Sequence, residues 1–139
     1  MSEIANLSPR AVWQYFDEIT QVPRPSKKEG KIRAYLVEFA KRHNLEHAED
    51  ATGNVVIRKP ATAGRETYPT VILQSHMDMV CEKTSDSTHD FKNDGLELYV
   101  EDGFLKAKDT TLGGDDGVAV AMALALMDSE DIPHPPIEA

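Results

Sequence analysis

Two short segments of the sequence carry side chains that could bind a metal ion. In the first, His76 and Asp78 directly follow the apolar run 70–74. Residues two apart in extended backbone point to the same side, so the imidazole could bind a metal through one nitrogen and donate its other N–H to the carboxylate. Met77 and Met79 would then face the core. The same spacing is also common in proteins where both side chains have only structural roles.

The second segment, 112–117, places Asp115 and Asp116 between glycines and directly before an apolar stretch. One aspartate there could simply cap a helix that begins in this region. The alternative is a carboxylate that bridges two metal ions, which lie roughly 3.5–4 Å apart in two-metal hydrolases. A helix cap explains one aspartate well and a pair less well, and both interpretations remain open on spacing alone.

Two amphipathic helices are expected in the first third of the chain. Ser8 and Pro9 are typical of a helix start, with Ser8 as the cap, and apolar residues at helical spacing extend this helix to about Thr20. Ser26 and Glu29 fit a capping box for a second helix. That helix should end near residues 43–44, and the proline-rich segment 22–25 should be an extended connector.

The remaining elements are mostly strands, which gives an α/β fold with a mixed central sheet flanked by helices. Predicted strands cover 45–49, 54–58, 70–74 and the hairpin 96–100 with 104–107, and another begins at 137–139. The continuous apolar character of 70–74 favours a central strand covered on both faces. His76 and Asp78 would then lie beyond the carboxyl end of that strand, where α/β sheets bind their ligands. Residues 118–127 should form a helix buried on nearly every side.

Composition narrows the function classes. A chain of 139 residues has the usual length of one domain, and its 24 acidic against 15 basic residues give a net charge of -9. Such a charge disfavours nucleic acid and anionic membranes as partners. A single cysteine and the absence of an export signal in the opening residues favour a cytoplasmic location.

Four stretches, in the same order and spread along the chain, closely resemble the bacterial aminoacyl-histidine dipeptidases, also called Xaa-His or cytosol nonspecific dipeptidases. They are residues 57–64, 73–80, 88–91 and 110–117, which include Gln74-Ser75-His76-Met77-Asp78 and Gly113-Gly114-Asp115-Asp116-Gly117. The resemblance implies that residues 1–139 form the N-terminal part of a dizinc-peptidase catalytic domain. The rest of that domain, and a lid or dimerisation domain, would lie outside this sequence, and the complete protein would be a homodimer.

The resemblance also implies a role for each matching residue. His76 would be a ligand of one zinc, Asp115 the bridge between two zincs, and Asp78 the catalytic residue that supports His76 and tunes the metal. Co²⁺ or Mn²⁺ could replace the two Zn²⁺ ions. Gly114 and Asp116 occupy positions where relatives often have alanine and asparagine, and the peptide after the bridging aspartate is expected to be cis.

The implied reaction is hydrolysis of unblocked dipeptides, including carnosine-like Xaa-His substrates, by water activated between two zincs. The family also needs a Glu-Glu pair, a later aspartate and a distant histidine, none of which this sequence supplies; Glu138 is expected before the strand that would carry the pair. The chain alone should therefore be inactive. Two alternatives are a short metal-binding or interaction module derived from this family and a structural remnant without a site.

For several other residues we expect only a structural or surface role. Cys81 is expected to be a small buried hydrophobe rather than a ligand, and His89 to fix a loop. Asp109 should be solvated. Three histidines are expected at the surface and two aromatic residues in the core: His43, His47 and His134, and Trp13 and Phe16.

Overall fold

A computed structural model describes residues 3–139 and shows a mixed α/β fold, as predicted. Its three α-helices are α1 (Arg10–Thr20), α2 (Gly30–Arg42) and α3 (Gly114–Asp128), and a short 3-10 helix, Glu3–Asn6, precedes α1. The strands are β1 (Glu46–Glu49), β2 (Val55–Lys59), β3 (Val71–Ile72), β4 (Leu98–Glu101), β5 (Phe104–Ala107) and β6 (Ile137–Glu138).

The main sheet has four strands in the order β1-β2-β6-β3. β1 pairs antiparallel with β2 and β2 with β6, whereas β3 runs parallel to β6. The prediction that 70–74 forms a central, doubly covered strand is wrong for the residues described. β3 is two residues long, pairs on one side only and leaves Ile72 71% exposed. An apolar sequence indicates that a strand can be buried, but it does not determine which other strands and helices pack against it.

The two predicted helix starts need correction. Pro9 is the residue before α1 rather than its first residue, it follows a cis Ser8-Pro9 peptide, and no side chain caps the helix. The capping box at Ser26 is also wrong. Lys27 has a φ of 69°, which a right-handed helix excludes, so α2 begins only at Gly30. The helix ends agree with the prediction, at Thr20 and Arg42.

The core lies between the three helices and the sheet. α1 packs against α3, and α2 packs against β1 and β2. The fully buried side chains of the core come from all three helices and include Phe16, Ile19, Ile32, Phe39 and Ala121. Trp13 packs edge-on against Phe16 at the border of this core, so the core assignment of both aromatic residues is confirmed.

Two expectations about burial are only partly right. α3 buries one side deeply but exposes half of Met122, so it is not covered all round. His134 is 7% exposed rather than a surface residue, because its main chain exchanges hydrogen bonds with Thr62. His43 and His47 are half-buried. Within residues 3–139, no helix is both long and apolar enough to cross a bilayer.

The β4–β5 hairpin turns at Asp102-Gly103, where both residues have positive φ, as expected for a tight hairpin turn. β6 confirms the strand predicted at 137–139. Glu138 lies within this strand, and its carboxylate accepts a hydrogen bond from Nε of Arg58 at 3.1 Å.

Candidate metal centre

The segment that carries His76 leaves the sheet at β3 and stays extended. Leu73 N donates to Glu138 O at 2.8 Å, and six residues later Met79 N donates to Arg24 O at 3.0 Å. Both ends of the segment are thus held by main-chain bonds. Met79 is buried and Met77 packs on the core, so the odd-numbered residues face inward. His76 and Asp78 lie on the opposite side, where the alternation of extended backbone places them.

The His76 ring lies between two carboxylates. Its Nε2 atom is 3.0 Å from Oδ1 of Asp115, and its Nδ1 atom is 3.1 Å from Oδ1 of Asp78. The bond to Asp115 is the largest cause that raises the pKa of His76 above its usual value, and the contacts with Asp78 add to it. The structure therefore brings Asp78 and Asp115, both named from the sequence, into contact with opposite sides of the His76 ring.

Asp78 is held from its other side. Ser26 Oγ donates a hydrogen bond to Oδ2 of Asp78, which leaves Oδ1 facing His76. The bond from Ser26 is the largest cause that lowers the pKa of Asp78 below its usual value. This carboxylate is accordingly an anion at neutral pH that accepts from both partners.

The irregular first turn of α3 brings Asp115 to the histidine. Gly113 has a φ of 70°, the Asp115–Asp116 peptide is cis, and neither aspartate has helical dihedral angles, although both fall inside the bounds of α3. Oδ2 of Asp116 accepts from the main-chain N of His76 at 3.3 Å. Both carboxylates thus turn to His76 instead of capping the free amides of the helix, which removes the capping interpretation.

The donor set fits part of a metal site. Two ligands of one tetrahedral zinc are about 3.4 Å apart when each lies ~2.1 Å from the metal, and the His76 Nε2 and Asp115 Oδ1 atoms are 3.0 Å apart. The Asp115 side chain is 96% exposed, so its outer side is open to further groups. Across residues 3–139, however, no group of three or more His, Cys, Asp or Glu is placed to hold a metal ion.

The residues for which the sequence predicts no metal-binding role lie outside this centre. Cys81 is half-buried, its Sγ donates to Met79 O at 3.6 Å, and burial raises the pKa of its thiol. The His89 ring packs edge-on against Phe91 at 4.5 Å, and its main-chain O accepts from Lys83. Asp109 is exposed, as predicted.

Two residues that contact the site were missed by sequence reasoning. Ser26 is predicted as a helix cap because Glu29 follows three residues later. The local spacing gives no sign that the Ser26 hydroxyl bonds to Asp78, which lies 52 residues further along the chain. Arg24 lies in the predicted connector, and its guanidinium bonds to main-chain carbonyls on both site segments. A charged residue between two prolines in a short connector was the only signal available.

Relatives of known structure and sequence match almost the whole chain. The cytosol non-specific dipeptidase of Escherichia coli K12 is 43% identical over 138 residues, which are 99% of this chain and 28% of that protein. The crystal structure of aminoacylhistidine dipeptidase from Vibrio alginolyticus covers 99% of this chain at 45% identity with a TM-score of 0.95, and 28% of that protein is matched. No protein-family model matches the chain.

A third structure extends the likeness in fold alone. A tripeptidase from Staphylococcus aureus superimposes with a TM-score of 0.74 at 23% identity, over 95% of this chain and 35% of that protein. The chain therefore spans about a third or less of each relative described. The resemblance to aminoacyl-histidine dipeptidases that the motifs indicate is confirmed over 99% of this chain, with the mixed α/β fold of those peptidases.

Proposed function

We propose that this chain supplies part of a divalent metal centre to a peptidase that hydrolyses unblocked dipeptides, including Xaa-His dipeptides such as carnosine. The preferred metal of this proposal is zinc. The observation that carries this proposal is the position of the His76 ring between Asp115 and Asp78, with each ring nitrogen within 3.1 Å of a carboxylate oxygen. His76 Nε2 and Asp115 would hold the metal, and Asp78 would support His76.

The tautomer of His76 follows from its two partners. An ionised Asp78 can only accept, so the proton of a neutral ring belongs on Nδ1, which faces Asp78. The lone pair of Nε2 then points to the Asp115 side, where a metal ligand needs it. A carboxylate behind a ligating histidine fixes the ring orientation and raises the basicity of the ligand.

The charge of the site also favours a cation. Three carboxylates, those of Asp78, Asp115 and Asp116, each lie within hydrogen-bonding distance of atoms of His76. Apart from His76 itself, no residue of 3–139 forms an ion pair with any of them. A divalent ion would offset this negative charge. Two zinc ions would supply the activation of a water and the polarisation of the scissile carbonyl.

The remaining parts of the proposal come from the resemblance. Two of the relatives are named as dipeptidases, and one of these two is called a cytosol dipeptidase. A dipeptide substrate and a cytoplasmic location are carried over from these names. A homodimer and a division into a catalytic and a lid domain rest on the resemblance of the sequence motifs alone. So does the need for a Glu-Glu pair and two further ligands, which leaves residues 1–139 inactive when alone.

A hybrid enzyme tests this function. The matched segment of the Vibrio alginolyticus dipeptidase is replaced by this chain, and metal content and hydrolysis of carnosine are measured. A hybrid that binds metal in stoichiometric amount and hydrolyses carnosine supports the proposal. A folded hybrid that binds no metal contradicts it.

One observation favours a second candidate, an interaction module. Val71 and Ile72 form an exposed apolar edge of the sheet with main-chain groups available for pairing. A hybrid that folds and binds metal but hydrolyses no dipeptide would favour this candidate.

A further inference from the structure

Arg24 is the largest side chain that is fully buried, with 2% of its surface exposed. It lies in the connector between α1 and α2, and within residues 3–139 no carboxylate forms an ion pair with it. A buried cation that lacks an ion pair is costly unless its hydrogen bonds are well made. The contacts of its guanidinium therefore need an explanation.

The guanidinium joins the two segments that carry the candidate ligands. Its Nη1 donates to the carbonyls of Met77 and Asp78 at 3.2 and 3.4 Å, and its Nη2 donates to the carbonyl of Gly113 at 2.8 Å. Met77 and Asp78 directly follow His76, and Gly113 lies two residues before Asp115. One rigid, planar group thus fixes the distance between the two loops.

Two glycines make room for this group. A Cβ atom at Gly113 or at Gly117 would lie 2.6 Å from Arg24 Nη2, closer than non-bonded atoms approach. Gly113 also has a φ of 70°. The glycines around Asp115 therefore allow the arginine to reach the loop, in addition to allowing the turn itself.

The main chain next to Arg24 follows the His76 segment. Met79 N donates to Arg24 O at 3.0 Å, and Ser26 N donates to Met79 O at 3.3 Å. This pairing places Ser26 Oγ beside Asp78, to which it donates a hydrogen bond. The same three-residue segment thus touches both loops and the carboxylate behind the histidine.

We propose that Arg24-Pro25-Ser26 is a positioning element of the metal centre, in which Arg24 sets the separation of His76 and Asp115 and Ser26 orients the carboxylate of Asp78. The inference rests on the proposed function. Lysine cannot replace Arg24, since a single ammonium lacks the fork that reaches carbonyls on two loops. Threonine can replace Ser26, since it keeps the hydroxyl.

The test uses the hybrid enzyme with Co²⁺ as the probe metal at saturating concentration. Ser26→Ala and Arg24→Lys act on His76 and Asp115 through other groups, so each should lower kcat for carnosine by about 10-fold, the lower end of the range for removal of an outer partner of a metal ligand, with less change in KM. The visible absorption bands of bound Co²⁺ should shift in both variants. Ser26→Thr should restore most of kcat and the original bands. Arg10→Lys, an exposed arginine on α1, is the matched control and should change neither.

A purely structural role predicts another pattern: a lower Tm with an unchanged Co²⁺ spectrum and unchanged kcat for the folded protein. That pattern in both variants, or the same loss in Ser26→Thr as in Ser26→Ala, overturns the inference. If Arg24→Lys does not fold, the Ser26 variants decide, because Ser26 is exposed and its replacement leaves the core intact. An unmodified hybrid that binds no Co²⁺ would instead overturn the proposed function, and the inference with it.

Discussion

The Nε2 atom of His76 lies 3.0 Å from Oδ1 of Asp115, although 39 residues separate them in the chain. His76 follows an edge strand and Asp115 lies in the non-helical first turn of α3, so the contact depends on how these two elements are joined. Arg24 joins them through main-chain carbonyls on both sides. The activity of each variant named below is that of the hybrid enzyme.

Asp115→Asn should abolish activity through loss of metal. An amide is a poorer zinc ligand than a carboxylate and cannot supply the negative charge of a bridge. We expect a loss of at least about 100-fold in kcat/KM, with metal content falling in parallel. Asp109→Asn is the matched control, because Asp109 is exposed, lies in the segment that leads into α3 and has a positive φ that asparagine tolerates. Full metal content in Asp115→Asn would rule out Asp115 as a ligand.

Asp78→Asn should separate metal binding from activity. Asp78 contacts His76 and Ser26 rather than the position proposed for the metal, so its loss misorients the ring without removing a ligand. The variant should keep more of its metal than of its kcat. Metal analysis by mass spectrometry, beside initial rates on carnosine, gives both quantities. Equal loss of the two, or loss of metal alone, would contradict a supporting role.

The pKa of His76 should be raised in the metal-free hybrid enzyme. Its partners are carboxylates, Asp115 above all, and they favour the charged ring. A raised pKa contributes stability that is fully present below the ordinary pKa of 6.5 and is lost as the pH rises through the raised value. Protons also compete with the metal, so metal affinity should fall as the pH drops through that value.

NMR titration of histidines labelled with ¹³C measures this pKa, and the His76→Gln variant assigns the signal. Asp115→Asn should lower the pKa of His76, and Asp109→Asn should leave it unchanged. A pKa of His76 at or below the ordinary value in the unmodified hybrid would show that the contact with Asp115 does not persist in solution.

The 139-residue chain by itself should associate and show no dipeptidase turnover. The edge strand β3 exposes Val71 and Ile72, and an open cavity of about 620 Å³ lies beside it, lined by apolar side chains such as Leu124 and Met127. Sedimentation velocity should detect oligomers. Ile72→Lys should reduce association, whereas Ile132→Lys, at an exposed residue outside the sheet, should not. A monodisperse monomer, or zinc-dependent turnover by this chain alone, would contradict the account.

The sequence predicted the candidate ligands because their chemistry is local. His76 and Asp78 are two residues apart in extended backbone, and glycines mark the loop of Asp115. The elements were also largely predictable from periodicity, since Thr20 and Arg42 end their helices where the apolar stripes end. These features depend on short-range spacing, which a sequence displays directly.

Several of the errors concern contacts between distant segments. Ser26 had a plausible local partner in Glu29, but its hydroxyl bonds to Asp78. The apolar run at Val71 suggested two covered faces, but coverage depends on which strands lie beside it. The local signal at Arg24 was limited to its place between two prolines, because three carbonyls 53 to 89 residues away define its role.

The most direct test of the central claim is anomalous diffraction at the zinc edge from crystals of the hybrid enzyme. We expect an anomalous peak about 2.0–2.2 Å from both Nε2 of His76 and a carboxylate oxygen of Asp115, with Asp78 on the far side of the ring. A second peak roughly 3.5–4 Å away would show Asp115 to be the bridge. Zinc bound elsewhere, with His76 and Asp115 still in contact only with each other, would contradict the account.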